Sequence, residues 1–223
     1  MILFDFSAAF PSLSHEYLWD ALEKVAVPPF VRAALQSLYR DNQHWLPLKG
    51  HFFPSVNVRS GVRQGCPLSP LRFVIATDAF LRALDGMLDP HGFVRAYADD
   101  IALVLQDLWR HAPAVAVLFE RYARISCLRL NGDKCVLIPL WRASINSLRP
   151  LLRECVPLWG AFMLQFAGKY LGMYIGPEAG DKSWDSPLAK YVERCTYIKS
   201  LKLGLFFTIC FYRMFAVSTL MFT

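Results

Sequence analysis

The sequence predicts an α+β fold in which an antiparallel sheet is backed by helices, and three observations carry that prediction. Strand-forming runs are paired across short turns at 44–59, 93–105 and 166–176. Apolar residues recur at i, i+3, i+4, i+7 in several of the segments between them. In order, the chain reads strand, helices, Gly/Pro loop with helix, acidic hairpin, helix and a lysine-bearing turn.

Met1 to Phe4 is a short apolar strand that delivers Asp5 at its carboxyl end. Ser14 is placed as an N-cap with Glu16 in the first turn, where the helix dipole favours an anion. Leu18, Ala21, Leu22 and Val25 form one apolar helix face, ended by Pro28-Pro29; Val31, Ala34, Leu35 and Leu38 form the next. From His44 to Arg59 the pattern turns to strands broken at Lys49-Gly50. The Gly- and Pro-rich loop Gly61 to Pro70 opens into a helix reaching Leu88, with proline early, where its missing N–H is harmless.

Phe93 to Leu105 reads as a hairpin with Tyr97-Ala98-Asp99-Asp100 at its turn. Pro113 is the expected start of a helix that turns Val115, Leu118, Phe119, Tyr122 and Ile125 inward. Leu130 to Lys134 is a turn feeding a strand from Cys135 to Ile138. A less regular stretch leads to the 166–176 hairpin, Gly180 to Pro187 reads as a polar linker, and helices from Leu188 complete the chain.

A chain of 223 residues forms one large domain or two small ones. With 55% hydrophobic and 14% aromatic residues, disorder is excluded. The net charge of +6 and pI of about 9.1 suit a polyanionic partner without establishing one. The six cysteines contain no CxxC and no Cys/His set at zinc spacing, which reads as a reduced thiol set. Met1-Ile2-Leu3-Phe4 has no charged leader and is interrupted at once by Asp5, unlike a signal peptide. Leu201 to Phe222 is apolar for about the length of a membrane span. Lys202 and Arg213 within it are costly in lipid, so a buried helix is expected and no membrane partner.

Asp99 and Asp100 sit inside an apolar run, and burying such an ionised pair costs several kcal/mol. The pair therefore belongs at an exposed turn or beside a cation, although Asp-Asp also occurs in turns for backbone reasons alone. Asp5 and the pair end strands far apart in sequence, and neighbouring strands would unite them as hard oxygen ligands. Mg²⁺ takes one or two carboxylates and completes its coordination with water and phosphates. Two such ions, about 3.5–4 Å apart, activate an attacking hydroxyl and stabilise the leaving oxygen of an in-line displacement. Phosphoryl transfer is the chemistry that needs this arrangement.

Five segments, Phe4 to Phe10, Gly61 to Pro70, Tyr97 to Asp100, Asn131 to Lys134 and Tyr170 to Gly172, resemble the successive motifs of the reverse transcriptase palm. Their order and spacing match, and Gly-Val-Arg-Gln-Gly-Cys-Pro-Leu-Ser-Pro is similar to non-LTR, LINE-like retrotransposon enzymes more than to retroviral ones. The resemblance implies a polymerase palm with a ferredoxin-like core over 1–176, a linker at 177–187 and a partial helical thumb over 188–223. It further implies RNA-directed DNA polymerase activity, with an RNA template, a DNA primer, dNTPs and two Mg²⁺ ions, or Mn²⁺ in their place. Nuclear action is implied by the resemblance alone, since no Lys/Arg-rich import signal is visible.

Carried over by position, the resemblance makes Asp5, Asp99 and Asp100 the catalytic, metal-binding carboxylates and Lys134 the acid that protonates pyrophosphate. Phe10 matches the residue that clashes with a ribose 2′-hydroxyl; Gln64 and Gly65 match the loop packed on the nascent base pair, with Arg63 as a phosphate contact. Tyr170, Leu171 and Gly172 match the primer grip, and Tyr97 is expected beneath the active site. Plainer readings stand beside these: Asp5 as a turn carboxylate, Phe10 as a core residue, Arg63 as solvated and Lys134 as an ordinary surface lysine. Pro11 replaces a frequent second Asp that is not a metal ligand. The motifs begin at Phe4 with no fingers segment ahead of them, so the resemblance implies a fragment of a retroelement enzyme. The alternative is a catalytically inactive palm relic with at most weak nucleic-acid binding.

Overall fold

The computed structural model describes residues 1–40 and 42–220; the end of the apolar tail, including Phe222, lies outside the described residues. Two compact units form, one from Met1–Leu137 with Ser144–Met163, the other from Ile138–Ala143 with Leu164 onward.

The first unit begins with β1 (Ile2–Phe4), every residue of which is buried. Next come α1 (Ala9–Ser12), α2 (His15–Lys24), α3 (Pro29–Ser37) and a hairpin of β2 (Gln43–Leu48) and β3 (His51–Asn57). After these come α4 (Ser69–Leu88), β4 (Gly92–Tyr97), β5 (Asp100–Leu105), α5 (Leu108–Ser126), β6 (Val136–Leu137) and α6 (Ile145–Cys155), and β7 (Met163–Leu164) begins on the unit's last residue. The main sheet has the order β4-β5-β1-β6-β7, so the chain's first strand is its centre. The α+β class and the antiparallel sheet expected from the sequence are both present: β1 pairs antiparallel with β5, as Phe4↔Ile101, and with β6, as Leu3↔Val136.

One face of that sheet is sealed by aromatic packing. The Phe4 ring lies 4.4 Å from Phe119 on α5, 5.6 Å from Trp159 and 6.1 Å from Phe162, centroid to centroid. Burying each such ring contributes about 1.5–3 kcal/mol, which ties β1 firmly between α5 and the turn after α6. Because strand side chains alternate, Asp5 then points away from the aromatic face that holds Phe4.

Ser14 caps α2 as expected, its hydroxyl accepting from the Tyr17 N–H. The helix stops at Lys24 before the prolines, because Ala26 takes a left-handed φ of 57°; Val25 is left exposed, and Pro29 opens α3 instead. Similarly, α5 starts at Leu108, ahead of Pro113, because the Asp107 carboxylate accepts from the Arg110 N–H at 3.1 Å and fixes an earlier first turn. Its Ile125, expected inward, is exposed. The helix α6, in the stretch read as irregular, is short and carries Pro150, yet buries Leu148 and Leu152 at helical spacing.

The second unit contains a hairpin of β8 (Gly168–Tyr170) and β9 (Met173–Ile175), turned at Leu171-Gly172 as the sequence predicts. Its helix α7 (Lys182–Ser200) begins inside the segment read as a polar linker, with Asp185 in the first turn offsetting the presence of Pro187. The apolar tail is broken by Lys202, at φ 49°, into α8 (Leu205–Phe211), a π-helical turn at Tyr212–Ala216 and a 3-10 turn at Val217–Leu220. Among the described residues no helix is long and apolar enough to cross a membrane.

Candidate active site

Strand register brings Asp5, Asp99 and Asp100 to one end of the main sheet. Extending the β1–β5 pairing one residue past Phe4↔Ile101 sets Asp5 opposite Asp100, and extending the β1–β6 pairing brings Lys134 to the same end. The pair Tyr97↔Asp100 closes the β4–β5 hairpin over Ala98-Asp99, with Ala98 at a left-handed φ of 53°. A positive φ at the first turn residue is the geometry of tight hairpin turns, and here it sets Asp99 at the tip beside Asp100. Although Asp100 is exposed as a residue, partial desolvation of its carboxyl raises it above its ordinary value, and the charges of Asp99 and Asp5 push it further. The charges of Asp99 and Asp5 therefore both bear on Asp100.

Asp5 is held by its backbone. Its N–H donates to Cys135 Sγ at 3.4 Å, and its carbonyl accepts from the Asn131 N–H at 2.8 Å and from the Cys135 thiol at 3.6 Å. Burial raises the Cys135 thiol to about 11, so it stays protonated at neutral pH and keeps its donor. The exposed Lys134 follows a turn closed by its own N–H on the Asn131 carbonyl at 3.0 Å.

The loop ahead of α4 docks against α1. Gly61 donates to the Leu13 carbonyl at 2.7 Å and Val62 to the Phe10 carbonyl at 2.8 Å. Gly61 has φ +88°, and a Cβ there would stand 2.5 Å from the Pro11 carbonyl oxygen, so only glycine fits. Phe10 is half-buried and stacks on Phe73 with centroids 4.7 Å apart. Gln64 and Gly65 are exposed, and open space surrounds Gly65, whose φ of +84° accounts for its glycine within the chain. Arg63 is neither loose nor simply solvated: it donates to the Leu38 carbonyl at 3.1 Å and to Asn42 Oδ1 at 2.8 Å.

Residues 1–175 match the family described as reverse transcriptase (RNA-dependent DNA polymerase), more than half of the chain. The chain belongs to the reverse transcriptase family. This reverse transcriptase domain is 29% identical, over 78% of its length, to the uncharacterized 149 kDa protein of transposon TX1 from Xenopus laevis. It is 30% identical, over 60% of its length, to the Pol polyprotein of the type-2 retrotransposable element R2DM from Drosophila melanogaster, and 29% identical, over 84%, to that of a type-1 element R2 from Bradysia coprophila. These relatives make it a LINE-like, non-LTR domain, as the wording of its Gly61 to Pro70 loop implies. The chain spans 13%, 13% and 23% of their respective lengths.

Reverse transcriptases use divalent metal ions and bind nucleic-acid template and primer. Carboxylate oxygens are the hard donors such cations take, and the ion pairs Arg32–Glu23 and Arg82–Asp78 involve other acids than Asp5, Asp99 and Asp100. As placed, however, no three His, Cys, Asp or Glu side chains among the described residues are arranged to hold a metal ion. Tyr170, Leu171 and Gly172 form the tip of the β8–β9 hairpin in the other unit. Tyr97 departs from expectation: it is 69% exposed at the hairpin tip, not packed beneath the acids, because it ends β4 where the chain turns.

Two residues of this region escaped the sequence reading. Cys135 was legible as a strand start, and its contact with Asp5 emerges only from the β1–β6 register. Arg72 lies on the apolar face of α4 with Phe73, Ala76 and Phe80, and is 2% exposed. A lone arginine on a buried helix stripe was the available signal.

Proposed function

We infer that this domain is the palm of an RNA-directed DNA polymerase that adds deoxynucleotides to a primer 3′-end. The observation carrying the reading is the strand register that sets Asp5 opposite Asp100 at one sheet end, with Asp99 beside it in the hairpin turn. Two divalent ions, when bound there, supply activation of the primer hydroxyl and stabilisation of the departing pyrophosphate. Asp5, Asp99 and Asp100 provide the carboxylate oxygens that hold and orient this charge. Lys134 Nζ delivers a proton to the leaving group. Phe10, anchored by its stacking on Phe73, presents bulk to a ribose 2′-hydroxyl and favours deoxynucleotides. Gln64 and Gly65 offer an exposed polar side chain and open backbone to the nascent base pair, while Arg63 braces the loop on α3. Tyr170, Leu171 and Gly172 take the primer terminus. The units so proposed are a palm over 1–176 and a partial helical thumb from 188, with 177–187 between them.

A second reading, a palm that binds nucleic acid without polymerising, is favoured by one observation: no group of metal-binding side chains is preassembled among the described residues. Primer extension on an RNA template with Mg²⁺ or Mn²⁺ and dNTPs separates the two. Incorporation lost in Asp5→Asn and Asp99→Asn supports the polymerase; duplex binding with no incorporation supports the second reading. Incorporation that survives both substitutions would overturn the carboxylate assignment.

A further inference from the structure

We propose that Cys66 is a peroxide-sensitive nucleophile, a modification site seated at the amino end of α4. Its sulfur faces hydrogen-bond donors. The Leu68 backbone N–H and the Arg72 guanidinium act on it, with Arg72 Nη2 donating to Sγ at 3.3 Å, while Ser69 donates its N–H to the Cys66 carbonyl at 3.0 Å and its hydroxyl to the Arg63 carbonyl at 2.6 Å. The Leu68 N–H is the largest of these influences; together they outweigh burial and lower the thiol below its ordinary value. The first turn of a twenty-residue helix contributes its positive end at the same place.

Arg72 supplies the independent observation. It is 2% exposed, donates from Nε to the Leu68 carbonyl at 3.2 Å and from Nη2 to Ser69 Oγ at 3.2 Å, and lies 4.9 Å from the Tyr39 ring centroid. Its Nη1 is buried with no hydrogen-bond partner. A buried guanidinium whose contacts are a sulfur, a hydroxyl, a carbonyl and a ring is short of negative charge. The sulfur can supply that charge, and an oxygen added to the sulfur can take the idle Nη1 donor. Cys66 is half-exposed, so a small reagent reaches it.

The step balances as follows. The Cys66 thiolate attacks one oxygen of a hydroperoxide; the S–O bond forms as the O–O bond breaks. Sulfur loses two electrons and the peroxide gains them, leaving as hydroxide or alkoxide that is protonated by water. The sulfenic acid then gives its proton to solvent, and the sulfenate oxygen accepts from the Arg72 guanidinium. Nothing in this depends on polymerase activity, so its failure and the failure of the polymerase reading are read separately.

The experiment uses the native 223-residue chain. Iodoacetamide labelling is followed cysteine by cysteine by mass spectrometry from pH 5 to 9, and hydrogen peroxide treatment is run with dimedone to trap sulfenate. Cys127 and Cys155, both exposed, are the internal standards, and buried Cys135 is the protected control. At pH 6.5 Cys66 is expected to label about tenfold faster than the standards and to carry most of the dimedone adduct. Arg72→Gln should bring its rate toward theirs; Ser69→Ala, which removes the oxygen that holds Arg72 Nη2 beside Sγ, should lower the rate as well and serves if the arginine variant does not fold. Equal rates at the three thiols in the unsubstituted protein, or adduct confined to Cys127 and Cys155, overturn the proposal.

Discussion

Asp100 begins a central strand while carrying a charge that two neighbours oppose. Its folded carboxyl value is raised, so the folded state holds the proton more tightly than the unfolded chain. The corresponding stability is fully present below the unfolded value of about 3.9 and is lost as pH rises through the raised one. At neutral pH the ionised side chain is therefore a burden on the fold. Asp100→Asn is expected to raise the melting temperature at pH 7 by about 1–3 °C, a gain that vanishes below about pH 4, as read by thermal denaturation across pH. The same repulsion makes the unsubstituted protein the better cation binder. Mg²⁺ at ten times its dissociation constant should stabilise it by about 1.4 kcal/mol at pH 7 and leave Asp5→Asn nearly unmoved. Melting temperatures indifferent to Mg²⁺ and Mn²⁺ in both proteins would remove metal from the proposed mechanism. Cys135 adds a positioning test: its thiol bonds the Asp5 backbone, so Cys135→Ala should cost about 1–2 kcal/mol in urea unfolding and Cys135→Ser less.

Among the elements, the loop before α4 and the β4–β5 turn do most to place the candidate site, and both depend on small residues in left-handed conformations. Gly61 meets the α1 backbone so closely that Gly61→Ala is expected to cost about 2 kcal/mol or more and to lower the melting temperature by several degrees. Ala98 can be tested from the other direction. A β-branched side chain tolerates its φ of 53° poorly, so Ala98→Val should destabilise by about 1–2 kcal/mol while Ala98→Gly is neutral or slightly stabilising in chemical denaturation. These elements were legible in sequence because local chemistry decides them: alternating strand residues around Ala98-Asp99, Pro70 at a helix start, the Ser14 cap. What escaped was decided by distant partners. The start of α5 turns on a carboxylate cap at Asp107 outweighing the proline five residues into the helix, and α6 persists through Pro150 because Leu148 and Leu152 find a core. Likewise the meeting of Asp5 with Asp100 was foreseeable from strand ends, whereas the hold of Cys135 on Asp5 and the burial of Arg72 required knowing which strands and helices become neighbours.

On the scale of the whole molecule, the excess of positive charge is uneven in a way that bears on nucleic-acid binding. In the second unit, Lys169, Lys182, Lys190 and Arg194 line one open cavity of about 710 Å³ together with Asp185. A surface with four cations against one carboxylate holds a positive potential that backbone phosphates would neutralise, releasing their condensed counterions. On the proposed polymerase reading, which requires any sequence to be accepted, contacts would be with phosphate and duplex shape, and the logarithm of affinity should fall linearly with the logarithm of salt concentration. Each lysine that engages a phosphate contributes about 0.7–0.9 to that slope. Lys182→Gln with Lys190→Gln in the full chain should therefore flatten the slope for a primer–template duplex by about 1–2 units and weaken binding most at low salt, with little change in melting temperature because both side chains are exposed. Fluorescence anisotropy from 50 to 300 mM salt measures this directly. A slope unchanged by the double substitution would mean that the cavity faces no phosphate and that the duplex is gripped by other cations of the chain.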